Sequence, residues 1–121
     1  MKKRIVVVED FNISRQIIKK TLESMGHQAE EATDGREATR FFNGDKVDLV
    51  ISDYNMPNMN GGELVEYIRS KEQYKYIPIL MLSTETNIEK QNRAKDAKIT
   101  AWIRKPFEVA DFKKLIEKVL A

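Results

Sequence analysis

Glu9-Asp10, Asp53, Ser83 and Lys105 have the chemistry to form a reactive site in this 121-residue chain. Each stands at or just past the end of a short apolar run: Ile5-Val6-Val7-Val8, Leu49-Val50-Ile51, Ile77-Pro78-Ile79-Leu80-Met81-Leu82 and Ala101-Trp102-Ile103. Apolar β-branched runs bounded by polar or turn residues read as buried strands. In a parallel sheet their carboxyl ends share one edge, so residues far apart in sequence meet there. Three gathered carboxylates repel one another and need a compensating cation. Hard oxygen donors with open positions suit Mg²⁺, and Lys105 adds a second positive charge. A carboxylate beside a metal, a lysine and a hydroxyl suits phosphoryl transfer. Asp53 would attack phosphorus, Lys105 would neutralise the equatorial oxygens, and Ser83 would hydrogen-bond one of them.

The elements that must position these residues follow from hydrophobic period. The unbroken run from Ile5 suggests a central strand covered on both faces. A helix capped by Asn12 carries Ile13, Ile17, Ile18, Leu22 and Met25, and Gly26 ends it. Gln28 to Thr33 is a weak edge strand, and Asp34-Gly35 is a turn. A second helix bears Ala38, Phe41 and Phe42 and closes at Asn43-Gly44. The strand ending at Asp53 is followed by a loop rich in Asn, Met, Pro and Gly. Asn60-Gly61-Gly62 then leads into a third helix with Leu64, Val65 and Ile68. Ile77 to Leu82 is the fourth strand. A helix capped by Asn87 has only Ile88, Ala94 and Ala97 as apolar residues, so it is expected to be loosely held. Ala101-Trp102-Ile103 is a short fifth strand. Phe112, Leu115, Ile116, Val119 and Leu120 mark the last helix. Five strand–helix alternations predict one α/β domain over residues 1–121, with a parallel sheet.

Composition removes several functions. The net charge of +2 is too small to argue for nucleic acid or membrane. With no cysteine, disulfides, thiolate nucleophiles and cysteine metal sites are excluded. The basic start, Met1 to Arg4, precedes too short an apolar run for a signal peptide. No apolar run is long enough to span a bilayer, and a cytoplasmic domain is the expectation. His27, the single histidine, reads as a surface residue.

Taken in order, four stretches resemble the receiver domains of two-component response regulators, most closely single-domain CheY-like regulators. They are Val8-Glu9-Asp10, Ser52 through Gly61, Leu82-Ser83 and Lys105-Pro106-Phe107. The resemblance implies a flavodoxin-like (βα)5 three-layer sandwich with strand order 2-1-3-4-5. It makes Asp53 the phosphoacceptor, served by the phosphohistidine of a sensor histidine kinase. It makes Glu9, Asp10, Asp53 and the backbone carbonyl of Asn55 the holders of Mg²⁺ (or Mn²⁺), with Asp10 the more direct ligand. Ser83 becomes the switch hydroxyl, Trp102 the switch aromatic and Lys105 the phosphoryl-contacting lysine. Lys105–Pro106 matches a cis peptide of the family. Asn55 and Glu85 match positions that tune self-dephosphorylation. Output is expected through a protein bound on the face built by the helix after the fourth strand, the fifth strand and the last helix. A monomer or a weak phosphorylation-dependent dimer is expected, with no activity beyond self-catalysed phosphotransfer and dephosphorylation.

Two positions depart from the family pattern. Lys98-Ile99 stands where Gly-Ala is usual, and Trp102 replaces a smaller aromatic. A haloacid-dehalogenase-type phosphatase would need a general acid where Asn55 stands. An FMN carrier would need a phosphate-cradling loop where Glu9-Asp10-Phe11-Asn12 has the wrong charge. The alternative kept open is a receiver within a larger hybrid kinase, a phosphorelay intermediate or a phosphate sink.

Overall fold

Successive residues of a strand face opposite sides of a sheet, and that period sorts the apolar runs into two cores. The computed structural model describes residues 2–84, 92 and 99–121. The elements are β1 (Arg4–Val8), α1 (Asn12–Ser24), β2 (Gln28–Ala32), α2 (Gly35–Ala38), β3 (Leu49–Asp53), α3 (Gly61–Ser70), β4 (Ile79–Ser83), β5 (Ala101–Arg104) and a C-terminal helix (Val109–Leu120). Single 3-10 turns cover Thr39–Phe41 and Glu72–Tyr74. All strand pairs are parallel, in the order β2-β1-β3-β4-β5 expected from the resemblance. The expected helix between β4 and β5 lies outside the described residues, as do Glu85 and Lys98. No described helix is long and apolar enough to cross a membrane.

Val6, Val8, Val50, Ile79 and Met81 face one side, with Leu64, Val65 and Ile68 of α3 and Ala38 of α2. Ile5, Val7, Leu49, Ile51, Leu80 and Leu82 face the other, with Ile18 and Leu22 of α1 and Phe112 and Ile116 of the C-terminal helix. Each such buried side chain contributes roughly 1.5–3 kcal/mol. The strands at the centre are therefore pinned, and their carboxyl ends become fixed platforms.

Three local expectations are revised. Asn12 begins α1, and Phe11 holds the cap position without a side-chain bond. The Asn12 Oδ1 accepts from Arg15 at 2.7 Å. Ile13 and Ile17 are 67% and 47% exposed. They share an i, i+4 stripe, but the neighbouring stripe of Ile18 and Leu22 meets the sheet, and a narrow helix face can bury only one of the two. The second helix is a four-residue segment followed by a 3-10 turn. Thr39, Phe41 and Phe42 are poor helix formers, and Phe42 instead packs edge-on to Tyr74 at 5.1 Å. Gly26 closes α1 as expected, with the His27 N–H bonding to the Leu22 carbonyl at 3.1 Å. His27 is half-buried, and its Nδ1 accepts the Lys3 N–H at 3.1 Å.

Candidate functional site

The carboxyl edge gathers the acidic residues. Glu9 follows β1 directly, and its N–H extends the ladder to Ala32 at 3.0 Å. Asp53 ends β3. One carboxylate oxygen from each of Glu9, Asp10 and Asp53 lies within 4.8 Å of the others. Glu9 is 1% exposed, Asp53 is half-buried and Asp10 is exposed. This gradient separates their tasks. Glu9 is already engaged, accepting from Lys105 Nζ at 2.8 Å and from the Phe11 N–H at 3.3 Å. Asp10 faces outward with free access from solvent.

Lys105 lies one residue past β5. Its N–H donates to the Ser83 carbonyl at 3.0 Å, which ties it to the end of β4. Its Nζ bridges Glu9 and Asp53, reaching Asp53 Oδ2 at 3.3 Å. The Lys105–Pro106 bond is cis, as the resemblance implied. Burial by itself would lower the Lys105 ammonium, but the Glu9 hydrogen bond and the charges of Asp53 and Glu9 outweigh it and hold the pKa above its ordinary value. Burial pushes the Glu9 carboxyl up; Asp53 adds to that rise and Lys105 opposes it. Among the described residues one half-buried ammonium thus serves two carboxylates, and Asp10 brings a third. The uncompensated charge, all on hard oxygen, fits a divalent cation held by Asp10 and Asp53.

Backbone geometry holds Asp53 from behind. Its Oδ1 accepts the Tyr54 N–H at 2.7 Å, and its carbonyl accepts the Ser52 hydroxyl at 2.8 Å. Gly61 opens α3 against it. A Cβ at Gly61 would stand 2.5 Å from the Asp53 carbonyl oxygen and 2.7 Å from Met81 Sδ. Only glycine lets this helix approach so closely. Asn60 caps α3 with a reciprocal bond to Glu63.

The structure places Ser83, 1% exposed, as the last residue of β4. It sits one position beyond Leu82, the register partner of Asp53. Trp102 pairs with Met81 in the sheet and packs on the α3 side, its ring 5.6 Å from that of Tyr54. The indole Nε1 is buried and has no hydrogen-bond acceptor among the described residues. Ile99 is half-buried against the same core. Asn55 is exposed in the β3–α3 loop. Glu85, paired with Asn55 in the sequence reading, lies outside the described residues.

Two features escaped sequence reading. Arg15 donates to the Glu9 carbonyl at 2.9 Å and pairs with Glu31 at 3.2 Å, bracing the acidic pair from α1. Its spacing from Glu9 carries no signal, because the intervening loop sets the reach. Beside the site runs an apolar rim. Phe11 is 62% exposed, and Ile13, Ile17 and Val109 are exposed with it. A groove of about 430 Å³ lined by Ile17, Phe107, Val109 and Ser14 opens onto Lys105 and Thr84. The signal was present in Ile13 and Ile17, but hydrophobic period alone assigns such residues to a core.

Comparison with known proteins agrees with this arrangement. The family model described as response regulator receiver domain matches residues 5–117. Chemotaxis protein CheY-3 of Vibrio cholerae is 35% identical over 117 residues, covering 96% of this chain and 90% of that protein. A CheY homolog of Campylobacter jejuni is 38% identical over 119 residues, covering 97% and 92%. The solved structure of the chemotaxis response regulator CheY4 of Vibrio cholerae superimposes with a TM-score of 0.91. It is 40% identical, with 99% of this chain and 100% of that one covered. The chain therefore belongs to the response regulator receiver domain family.

Proposed function

We propose that Asp53 accepts a phosphoryl group from the phosphohistidine of a sensor histidine kinase, in a Mg²⁺-dependent reaction in the cytoplasm. CheY-like receiver domains interact with histidine kinases and downstream targets in two-component signalling. The observation that carries the reading is the Lys105 ammonium, 3.3 Å from Asp53 Oδ2 and 2.8 Å from Glu9 Oε2. That lysine neutralises the nucleophile's neighbours and stands where phosphoryl oxygens arrive.

An Asp53 carboxylate oxygen forms the O–P bond as the P–N bond to imidazole breaks and its electron pair returns to the ring nitrogen. Lys105 then shares its hydrogen bonds with a phosphoryl oxygen, and the Ser83 hydroxyl donates to another. Mg²⁺, or Mn²⁺, held by Asp10, Asp53 and the Asn55 carbonyl, supplies the remaining positive charge when bound. Glu9 keeps Lys105 charged and in place. The chemistry is self-catalysed phosphotransfer and dephosphorylation, so the chain acts as a switch and not as an enzyme on outside substrates. The exposed apolar rim of Phe11, Ile13, Ile17 and Val109 offers the phosphodonor a surface beside Asp53.

Output follows from a population shift. Ser83 is drawn to the new phosphoryl oxygens, and Trp102 repacks from its place against Tyr54. The outer face of β5 and the C-terminal helix changes with it and recruits a downstream protein. Incubation with Mg²⁺ and acetyl phosphate tests the reading. Peptide mass spectrometry is expected to find one phosphoryl group on the Asp53 peptide, and Asp53→Asn is expected to abolish uptake. Uptake by that variant at the wild-type rate overturns the proposal.

A further inference from the structure

The β3–α3 loop is held by residues that take no part in the acidic cluster. Its base is closed by the Gly61 N–H on the Tyr54 carbonyl at 2.7 Å, and its middle by the Met59 N–H on the Pro57 carbonyl at 2.7 Å. Between them, Asn58 sits at φ 67°, a left-handed conformation that Asn tolerates better than most residues. The Asn58 amide donates to Asp34 Oδ2 at 2.7 Å. Asp34 Oδ1 simultaneously accepts the Glu37 N–H at 2.7 Å, capping α2. Next to it the Gly35 N–H donates to the Met59 carbonyl at 3.1 Å. A Cβ on Gly35 would stand 2.6 Å from that carbonyl oxygen, so the two loops touch along their backbones. The bond from the Glu37 N–H and, after it, the one from Asn58 hold the Asp34 carboxyl below its ordinary value.

This clamp spans the loop that carries Asn55. On the phosphoacceptor reading, Asn55 presents a backbone carbonyl to the metal, and a backbone ligand is only as well placed as its loop. Asp34 and Asn58 have no part in the cluster of Glu9, Asp10 and Asp53. We propose that Asp34 and Asn58 are positioning residues that set the Mg²⁺ affinity of the Asp53 site by fixing the β3–α3 loop in its binding conformation. The entropy of ordering that loop is then spent in folding instead of binding. Groups that orient a metal's ligands in this way commonly change affinity by about tenfold or more.

The test uses Mg²⁺ alone, titrated calorimetrically into the full chain. Asp34→Ser retains a side-chain oxygen to cap α2 and loses the reach to Asn58. Asn58→Gly removes the amide and accepts the left-handed φ without strain. Each is expected to raise the Mg²⁺ dissociation constant about tenfold, and the double variant to be no weaker than either, because both cut one link. Thermal midpoints of the metal-free proteins are expected to stay near wild type. Phosphate uptake from acetyl phosphate is expected to recover at saturating Mg²⁺, separating a loss of affinity from a loss of chemistry. Wild-type Mg²⁺ affinity in both single variants overturns the clamp. A wild-type chain that binds no Mg²⁺ sinks the phosphoacceptor reading itself.

Discussion

The two edges of the sheet treat charge in opposite ways. At the amino edge polar groups are closed off locally. The Arg4 N–H donates to Asp48 Oδ2 at 2.8 Å, and Lys46 stands 3.6 Å from the other oxygen. The Tyr74 hydroxyl donates to the Asp45 carbonyl at 2.6 Å and accepts the Gly44 N–H at 2.8 Å. The Thr100 hydroxyl oxygen accepts the Ile79 N–H at 3.0 Å. Among the described residues of the carboxyl edge, oxygens of Glu9, Asp10 and Asp53 lie within 4.8 Å of one another, and Lys105 bonds to two of the three carboxylates. One edge has been finished as structure. The other gathers three carboxylates that, among the described residues, outnumber the ammonium set between them, and on the proposed reading a divalent cation answers that imbalance. A fold can keep such an edge because the strands beneath are buried on both faces.

The largest test of the contrast is Lys105→Met. It leaves Glu9 buried without its cation, and removing one member of a buried pair commonly costs about 3 kcal/mol or more. Urea denaturation without metal is expected to show that loss, and Glu9→Gln in the same background to recover most of it. If Lys105→Met leaves stability intact, the carboxyl edge is not the tightly coupled cluster described. Tyr74→Phe probes the opposite edge. Loss of its hydroxyl is expected to cost about 1–2 kcal/mol, with phosphate uptake from acetyl phosphate unchanged. A fall in uptake would show that the edges are not independent.

The smallest effect lies on the flank, where Glu31 of β2 meets Lys19 and Arg15 of α1. The Lys19 hydrogen bond, with help from Arg15, holds the Glu31 carboxyl below its ordinary value. A depressed carboxylate lends its stability above the unfolded value and loses it as pH falls through the folded one. Glu31→Gln is therefore expected to flatten the acid limb as pH falls through the carboxylate range, by under about 1 kcal/mol for a half-buried cluster at the surface. Acid titration followed by circular dichroism reads it. An unchanged limb would locate acid sensitivity elsewhere.

Much of this was legible in residue order. Unbroken β-branched runs marked the buried strands, and the polar residue ending each marked the edge where the carboxylates and Lys105 gather, because a parallel sheet leaves those ends no other address. The rest depended on loop conformation. Asp34-Gly35 read as a turn, yet its side chain and N–H hold a loop more than twenty residues away. Arg15 carried no signal in the residue order, yet it braces Glu9. Ile13 and Ile17 have the spacing of core residues and face solvent, since sequence period gives a helix its stripes but not its rotation against the sheet.

Trp102 is the chain's only tryptophan, and it rests against the ring of the residue that follows Asp53 in the chain. The protein thus carries a single native indole emitter one ring contact from its acidic edge. Its intensity and wavelength are expected to give a label-free optical record of what happens there, in real time and at low concentration.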